Sequence, residues 1–411
     1  MSTRVVIIGA GHAAGQAVAT LRQEEFDGQI VLIGDEPHLP YQRPPLSKKF
    51  LAGEMPAERL YVKPESFYDD PRIVLNLDTR VTAIDRANKT LSVDGGSDIA
   101  YDKLILALGS RARPLPVEGV GLKHVYYLRT IADVELIRAE LAVGRRLVVI
   151  GGGYIGLEVA AVARKLGLDV TVVEMANRVM SRVVSAELSD FYQIEHTNQG
   201  VKLRLSARVR ALYGKKRVKR VVLDDDEEIP ADFVIIGAGI LPNTEIAQQA
   251  GLEVIDGIVV DDRCQTSDAD IYAVGDCTSH PNAIYGRRIR LESVQNALEQ
   301  AKTAASNICG KETHYREVPW FWSDQYDLKL QIAGLSDGYD EIVIRGNPAE
   351  RCFACLYLKQ GQLIAVDAVN APRDFVQSKA LIAARAVIPR EALADANNSL
   401  KDLGKDLGVA S

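Results

Sequence analysis

The sequence is poor in cysteine. Its five thiols, Cys264, Cys277, Cys309, Cys352 and Cys355, are too few and too scattered for a disulfide framework, so a reducing compartment suits the chain. No apolar run approaches the roughly 20 residues that a membrane-spanning helix needs. The opening MSTRVVIIGAG enters a buried-strand pattern with no space for a targeting segment, and a cytoplasmic protein is expected. Positive charge is not in excess either: a net charge of −6 argues against a nucleic-acid surface. Short tandem repeats and low-complexity tracts are absent. With 47% apolar and 25% charged residues, the composition is that of an ordinary globular protein. The chain is too long for one core, so two or three domains are expected.

What is there is one pattern used twice. Residues 5–8 form a β-branched run, glycines follow, a helical pattern runs through Leu21, and residues 30–33 read as a second strand. Far downstream, a strand at 147–150, a glycine turn at 151–156, a helix at 157–166 and a strand at 170–174 repeat it. Two βαβ units of this kind predict an α/β protein with two Rossmann-like dinucleotide-binding folds. Gly9-Ala10-Gly11-His12-Ala13-Ala14 is G-x-G-x-x-A, and Gly151-Gly152-Gly153-Tyr154-Ile155-Gly156 is G-x-G-x-x-G. In such turns the first glycine makes the bend and the second admits a pyrophosphate. The third small residue lets helix and strand pack closely. Asp35 follows Gly11 by 24 positions and Glu174 follows Gly153 by 21, near the ~20 expected of a ribose-binding acid. Glu174 would accept hydrogen bonds from a ribose diol and repel a 2′-phosphate, which favours NADH over NADPH. Arg178 and Arg182 lie just beyond and could reach a phosphate.

Between and after these units the sequence reads as strands at 80–84, 90–93 and 104–108, with glycine- and proline-broken hinges at 111–116 and 237–243. After Trp320 come short strands at 331–333, 342–344, 353–358 and 363–369, a helix at 375–386 and a polar tail. This predicts a C-terminal α+β domain over 320–411. Residues 1–112 and 245–319 would form an FAD-binding domain and 113–244 an NADH-binding domain. The basic run 215–219 and the acidic run 224–228 read as a solvated hairpin with facing charge blocks. Cys352 and Cys355 fall in a strand pattern that points them to opposite faces, away from any helix N-terminus, and read as two buried small hydrophobes. No histidine or second cysteine pair accompanies them, so no metal site is expected.

A third signature, Thr266-Ser267-Asp268-Ala269-Asp270-Ile271-Tyr272-Ala273-Val274-Gly275-Asp276, is an apolar strand ending in Gly-Asp. Together with the two glycine turns it resembles the glutathione-reductase-type two-dinucleotide flavoproteins. Finer motifs narrow the resemblance: Pro40-Tyr41-Gln42-Arg43-Pro44-Pro45-Leu46-Ser47-Lys48, GGGYIGLE at 151–158, Glu292-Ser293-Val294-Gln295-Asn296-Ala297 and Pro319-Trp320-Phe321-Trp322-Ser323-Asp324-Gln325. The combination is similar to the oxygenase-coupled, putidaredoxin reductase-like ferredoxin reductases, over essentially the whole chain. The family's usual Ala-Thr-Gly is Ala107-Leu108-Gly109 here, so a hydroxyl contact is lost.

The resemblance implies FAD in the first fold and NADH in the second. It implies that Asp276 binds the flavin ribityl chain, and that Arg43, Arg129, Val81 and Val294 also touch FAD. Gly9, Gly11, Ala14 and Asp35 would line the FAD site; Gly151, Gly153, Ile155, Gly156, Glu174 and Gly239 would line the nicotinamide-nucleotide site. Lys48 and Glu158 are implied beside the flavin, where Glu158 would hold the nicotinamide carboxamide. The helix from Glu292 would aim its N-terminus at the flavin N1–C2=O edge. Electrons would leave singly to a [2Fe-2S] ferredoxin serving a cytochrome P450 or other oxygenase. Lys48, Lys49, Arg287, Arg288, Arg290 and Lys302, with Trp320 and Trp322, are the expected docking residues for that acidic partner. Rubredoxin or monodehydroascorbate reduction, and redox sensing in the manner of apoptosis-inducing factor, are the rival functions.

Disulfide reductases and NADH peroxidases of this superfamily use cysteine in the segment after the second strand, and residues 34–60 contain none. Replacing all five cysteines should therefore leave ferredoxin reduction within about twofold, because no thiolate takes part. A variant that still holds FAD but no longer reduces ferredoxin would refute this.

Overall fold

The structure, a computed structural model, describes residues 3–408. By backbone proximity the chain divides into two compact units. One comprises residues 1–43, 57–111 and 241–319; the other comprises 44–56, 112–240 and 320–411.

In the first unit the β-branched runs become a five-stranded parallel sheet, in the order Ile271–Ala273, Lys103–Leu106, Arg4–Ile8, Gln29–Ile33, Ile73–Asn76. Strands buried on both faces need continuous apolar runs rather than alternation, and Val5, Val6 and Ile7 are all fully buried. The chain leaves the central strand toward one edge and later returns to its other side, which creates a switch point at its carboxyl end, where ligands bind in such sheets. Helices His12–Gln23 and Val294–Ile308 pack together through Ala13, Ala14, Ala17, Ala301, Ala304 and Ala305. Alanine at the contact lets two helix backbones approach closely. Ser293 caps the second helix by accepting from Asn296 N at 3.1 Å.

The second unit repeats the plan with Lys202–Arg204, Asp169–Val173, Arg146–Ile150, Phe233–Ile236 and Val125–Tyr127, all parallel. It also contains a five-stranded antiparallel sheet: Trp320–Gln325, Leu328–Gly334, Gln362–Val369, Cys352–Lys359, Glu341–Asn347, covered by helix Pro372–Ala383. Two expectations change. The acidic run 224–228 pairs with arginines: Asp226 with Arg210 at 2.7 Å, Glu227 with Arg204 at 2.9 Å and Glu228 with Arg220 at 3.0 Å. Arg210 and Arg220 come from the paired strands Val209–Tyr213 and Arg220–Leu223, and Arg204 ends a strand of the parallel sheet. Cys355 is buried, whereas Cys352 sits at its strand's exposed start.

The antiparallel sheet buries a carboxyl. Asp367 accepts from Tyr357 Oη at 2.5 Å, and Tyr357 Oη accepts from Ser185 N, the cap of helix Ala186–Asn198, at 3.0 Å. Burial pushes the Asp367 carboxyl up to about 7, against the opposing effect of the Tyr357 hydrogen bond. The unfolded carboxyl ionises near its ordinary 3.8, so the folded chain holds an extra proton between these values. Its contribution to stability is complete at low pH and is lost as pH rises toward about 7. Asp367→Asn should remove this slope, which we expect to be on the order of 2 kcal/mol between about pH 5 and pH 7. Denaturant titrations at both pH values would measure it, and an unchanged slope would contradict the assignment.

Candidate functional site

The two glycine turns obey the same steric logic in their separate units. Gly9 and Gly151 take left-handed φ values of 111° and 109°. A Cβ on Gly9 would lie 2.2 Å from Ala107 O, and one on Gly151 would lie 2.4 Å from Gly237 O. Each first glycine is thus fixed by the end of the neighbouring strand. At Gly156 a Cβ would meet Gly151 O at 2.1 Å, and the equivalent Ala14 is fully buried. The middle glycines differ: beyond Gly11 and Gly153 nothing lies within 4 Å. Each caps a helix with no side-chain partner, so neither turn carries a side chain that would obstruct a ligand's approach. A dinucleotide pyrophosphate fits that arrangement.

In the second unit Glu174 follows its strand directly. Its carboxylate accepts from Gly152 N at 2.6 Å and Ala176 N at 2.8 Å. This holds the acid against the glycine turn, where a ribose diol would meet it. Arg178 is committed elsewhere: it donates to Val184 O, Ser185 O, Ser181 O and Ser189 Oγ. A guanidinium so occupied is poorly placed to receive a 2′-phosphate. Arg182 lies near Gly239, whose φ of 94° calls for glycine. Ile155 leaves its large side chain 41% exposed beside the turn, an apolar surface for a ligand ring.

In the first unit the polar residues gather around Arg43. Its guanidinium donates to Glu36 at 2.8 Å and Tyr41 Oη at 2.9 Å, and Tyr41 Oη donates to Glu36 at 2.7 Å. Burial works against the Arg43 charge, yet Tyr41, Glu36 and Asp276 together carry its pKa above the ordinary value. Asp276 accepts from Ser110 Oγ at 2.7 Å, so a hydroxyl one position past the Ala-Leu-Gly run reaches this carboxylate. Asp35 is exposed and lies 3.6 Å from Arg80, one residue beyond the register that Glu174 occupies. Glu36, Tyr41 and Ser110 were not singled out from sequence; Glu36 is adjacent to the acid that was. Val81, itself half-buried, opens a mostly exposed strand, and Val294 opens its helix.

The second unit also holds Lys48 and Glu158. Pro44–Ser47 is one turn of 3-10 helix, and Lys48 follows it rather than beginning a longer helix. Helix Tyr154–Lys165 starts three residues earlier than expected, which puts Glu158 past its first turn. Glu158 is 3% exposed. Its Oε2 receives Lys48 Nζ at 2.7 Å and Ser47 Oγ at 2.5 Å, and its Oε1 receives Ser323 Oγ at 2.6 Å. A buried carboxylate that meets a cation and two hydroxyls has its desolvation largely offset. Arg129 is half-buried at the start of helix Ile131–Arg138, and its backbone N–H donates to Asp133.

The expected docking cations divide between the units. Lys49 is exposed in the second, with Trp320 and Trp322 half-buried on their strand, 5.6 Å apart between ring centroids. In the first, Arg290 pairs with Asp256 and Glu292, Lys302 pairs with Glu299, and Arg288 donates to Val260 O and Ser279 O. Arg287 is exposed. These internal partners reduce the positive field that the sequence suggested.

Residues 3–301 match the family described as pyridine nucleotide-disulphide oxidoreductase, and residues 320–404 match the one described as reductase C-terminal. The chain is 46% identical over 401 residues to the 5,5'-dehydrodivanillate O-demethylase ferredoxin reductase subunit of Sphingobium sp., covering 97% of each chain. It is 44% identical over 405 residues to putidaredoxin reductase of Pseudomonas putida, covering 97% of this chain and 96% of that one. Among solved structures, the covalent putidaredoxin reductase–putidaredoxin complex aligns with a TM-score of 0.96 at 42% identity, covering 99% of both chains.

Glu174→Gln should erode the preference for NADH over NADPH by about tenfold, since it removes the charge that repels a 2′-phosphate. The ratio of kcat/KM for the two nucleotides measures this; an unchanged ratio would exclude Glu174 as the discriminating group.

Proposed function

The chain belongs to the pyridine nucleotide-disulphide oxidoreductase family, and from that premise we propose that it carries electrons from NADH through FAD to a [2Fe-2S] ferredoxin serving a cytochrome P450 or another oxygenase. FAD, when bound, takes up two electrons from NADH and releases them one at a time to the iron–sulfur protein. The observation that carries this reading is the lack of a cysteine in the segment after the second strand, where the superfamily's thiol chemistry sits. Residues 34–60 have no cysteine. Burial raises the thiol pKa of Cys264, Cys277, Cys309 and Cys355, that of Cys277 to about 12. Cys352 is exposed but opens a strand of the antiparallel sheet; without a thiolate in residues 34–60 to receive them, electrons leave for an external carrier. The oxygenase-linked names of the relatives support that destination.

The chain's own residues then bind and orient. Gly11 and Gly153 admit the two pyrophosphates, and Asp276, with Arg43 behind it, meets the flavin's ribityl chain. Glu174 reads the ribose of NADH. Glu158, steadied by Lys48, meets the nicotinamide carboxamide. We assign the FAD-binding role to residues 1–112 and 245–319, the NADH-binding role to 113–244, and the C-terminal α+β role to 320–411. No helix among the described residues is long and apolar enough to cross a membrane, and a cytoplasmic setting fits the reduced thiols.

Anaerobic titration with NADH followed by mixing with purified [2Fe-2S] proteins tests the reading: one of them should be reduced rapidly. If only rubredoxin or monodehydroascorbate is reduced, the acceptor is wrong. Lys49→Glu and Arg287→Glu should each slow ferredoxin reduction several-fold at low salt and leave ferricyanide reduction nearly unchanged. Equal losses with both acceptors would place the docking surface elsewhere.

A further inference from the structure

Glu158 is the end of a longer chain of groups. Ser323 Oγ, which donates to Glu158 Oε1, accepts from Gln325 Nε2 at 3.2 Å. Gln325 Oε1 lies 2.8 Å from His196 Nε2, and His196 Nδ1 lies 3.1 Å from Tyr326 Oη. Ser323, Gln325 and His196 are fully buried. Burial pushes the His196 imidazole down to about 4, although the Gln325 hydrogen bond works in the other direction, so the ring is neutral at physiological pH. A neutral ring has one donor, and Gln325 Oε1 can only accept; the proton therefore sits on Nε2, and Nδ1 accepts from Tyr326. Every hydrogen bond then points the same way. Tyr326 donates to His196, His196 to Gln325, Gln325 to Ser323, and Ser323 to Glu158.

Two features argue that this chain is more than a satisfied patch of core. Buried polar networks gain little stability over apolar packing of similar volume, so four such groups in succession call for another reason. Tyr326 also sits at φ 58° in the tight turn between Trp320–Gln325 and Leu328–Gly334. That left-handed conformation disfavours a bulky aromatic residue, yet it is tolerated where the hydroxyl meets His196.

The carboxylate's remaining capacity suggests the reason. Among the described residues Oε2 is filled by Ser47 and Lys48, whereas Oε1 receives only Ser323, which leaves it one lone pair. We propose that Ser323, backed by Gln325, His196 and Tyr326, is a positioning element that turns the open lone pair of Glu158 Oε1 toward the carboxamide N–H of NADH. The antiparallel sheet thereby completes the nicotinamide site from a strand that lies outside the dinucleotide-binding segment. This rests on the reading above that Glu158 meets the carboxamide.

The test compares NAD⁺ with ADP-ribose, which keeps the adenosine diphosphate and ribose but lacks nicotinamide. Calorimetry on the FAD-loaded protein would be run for wild type, Ser323→Ala, Gln325→Met and Glu158→Gln. Ser323→Ala should weaken NAD⁺ binding about tenfold, the loss of one hydrogen bond to a charged group, and Gln325→Met, which removes a bond between neutral groups, several-fold; both should leave ADP-ribose binding unchanged. Ser323→Thr, which keeps the hydroxyl, should retain most of the NAD⁺ affinity. A general packing defect would move both ligands together, and that outcome overturns the proposal. So does a selective loss of NAD⁺ in Glu158→Gln with none in the Ser323 and Gln325 variants. If Glu158→Gln itself leaves NAD⁺ affinity untouched, the carboxamide reading fails first and the positioning role falls with it.

Discussion

The carboxylate of Glu158 is the group on which the second unit's polar architecture turns. It is buried almost completely, and a charge in that position must be met on each oxygen or it would destabilise the fold by several kcal/mol. Two separate stretches meet it: Ser47 and Lys48 at the end of the 3-10 turn, and Ser323 in the first strand of the antiparallel sheet. Charge-assisted hydrogen bonds are short and directional, so the acid is oriented as well as neutralised. A nicotinamide site needs both properties.

A second constraint is steric and operates twice. The first glycine of each turn is pinned by the carbonyl at the end of an adjacent strand, and the small third residue by the need for helix and strand to touch. Only the middle position faces nothing. The same exclusion of Cβ atoms that shapes each bend therefore also clears the approach for a pyrophosphate. Binding capacity here follows from backbone geometry more than from side chains.

How much of this could be read beforehand follows from sequence separation. The glycine turns, their flanking strands and Glu174 are local patterns, and they are found where their spacing puts them. Other features depend on register. The acidic run 224–228 meets arginines from three different strands, Arg204, Arg210 and Arg220, which no local pattern announces. Asp35 was chosen by distance from Gly11, while Glu36, one position later, is the acid that meets Arg43. Ser323 lies 165 positions from Glu158 and Ser47 lies 111 away; contacts at that range leave no trace in a local pattern. His196 is a lone histidine in a helix and gives no signal until its neighbours from another strand are known.

The scattered origin of that cluster has a consequence for biosynthesis. Residues 44–56 group with the second unit, although the stretches on either side of them belong to the first. A ribosome that has just made Lys48 must add 275 more residues, from position 48 to 323, before the last partner of Glu158 emerges. At roughly 5–20 residues per second, that is an interval of about 15 to 55 seconds. Lys48 waits through all of it, and Glu158, an acid destined for the interior, through the last 165 residues of it, in an incomplete shell. The shell around this acid therefore closes only after the first strand of the C-terminal sheet has been made.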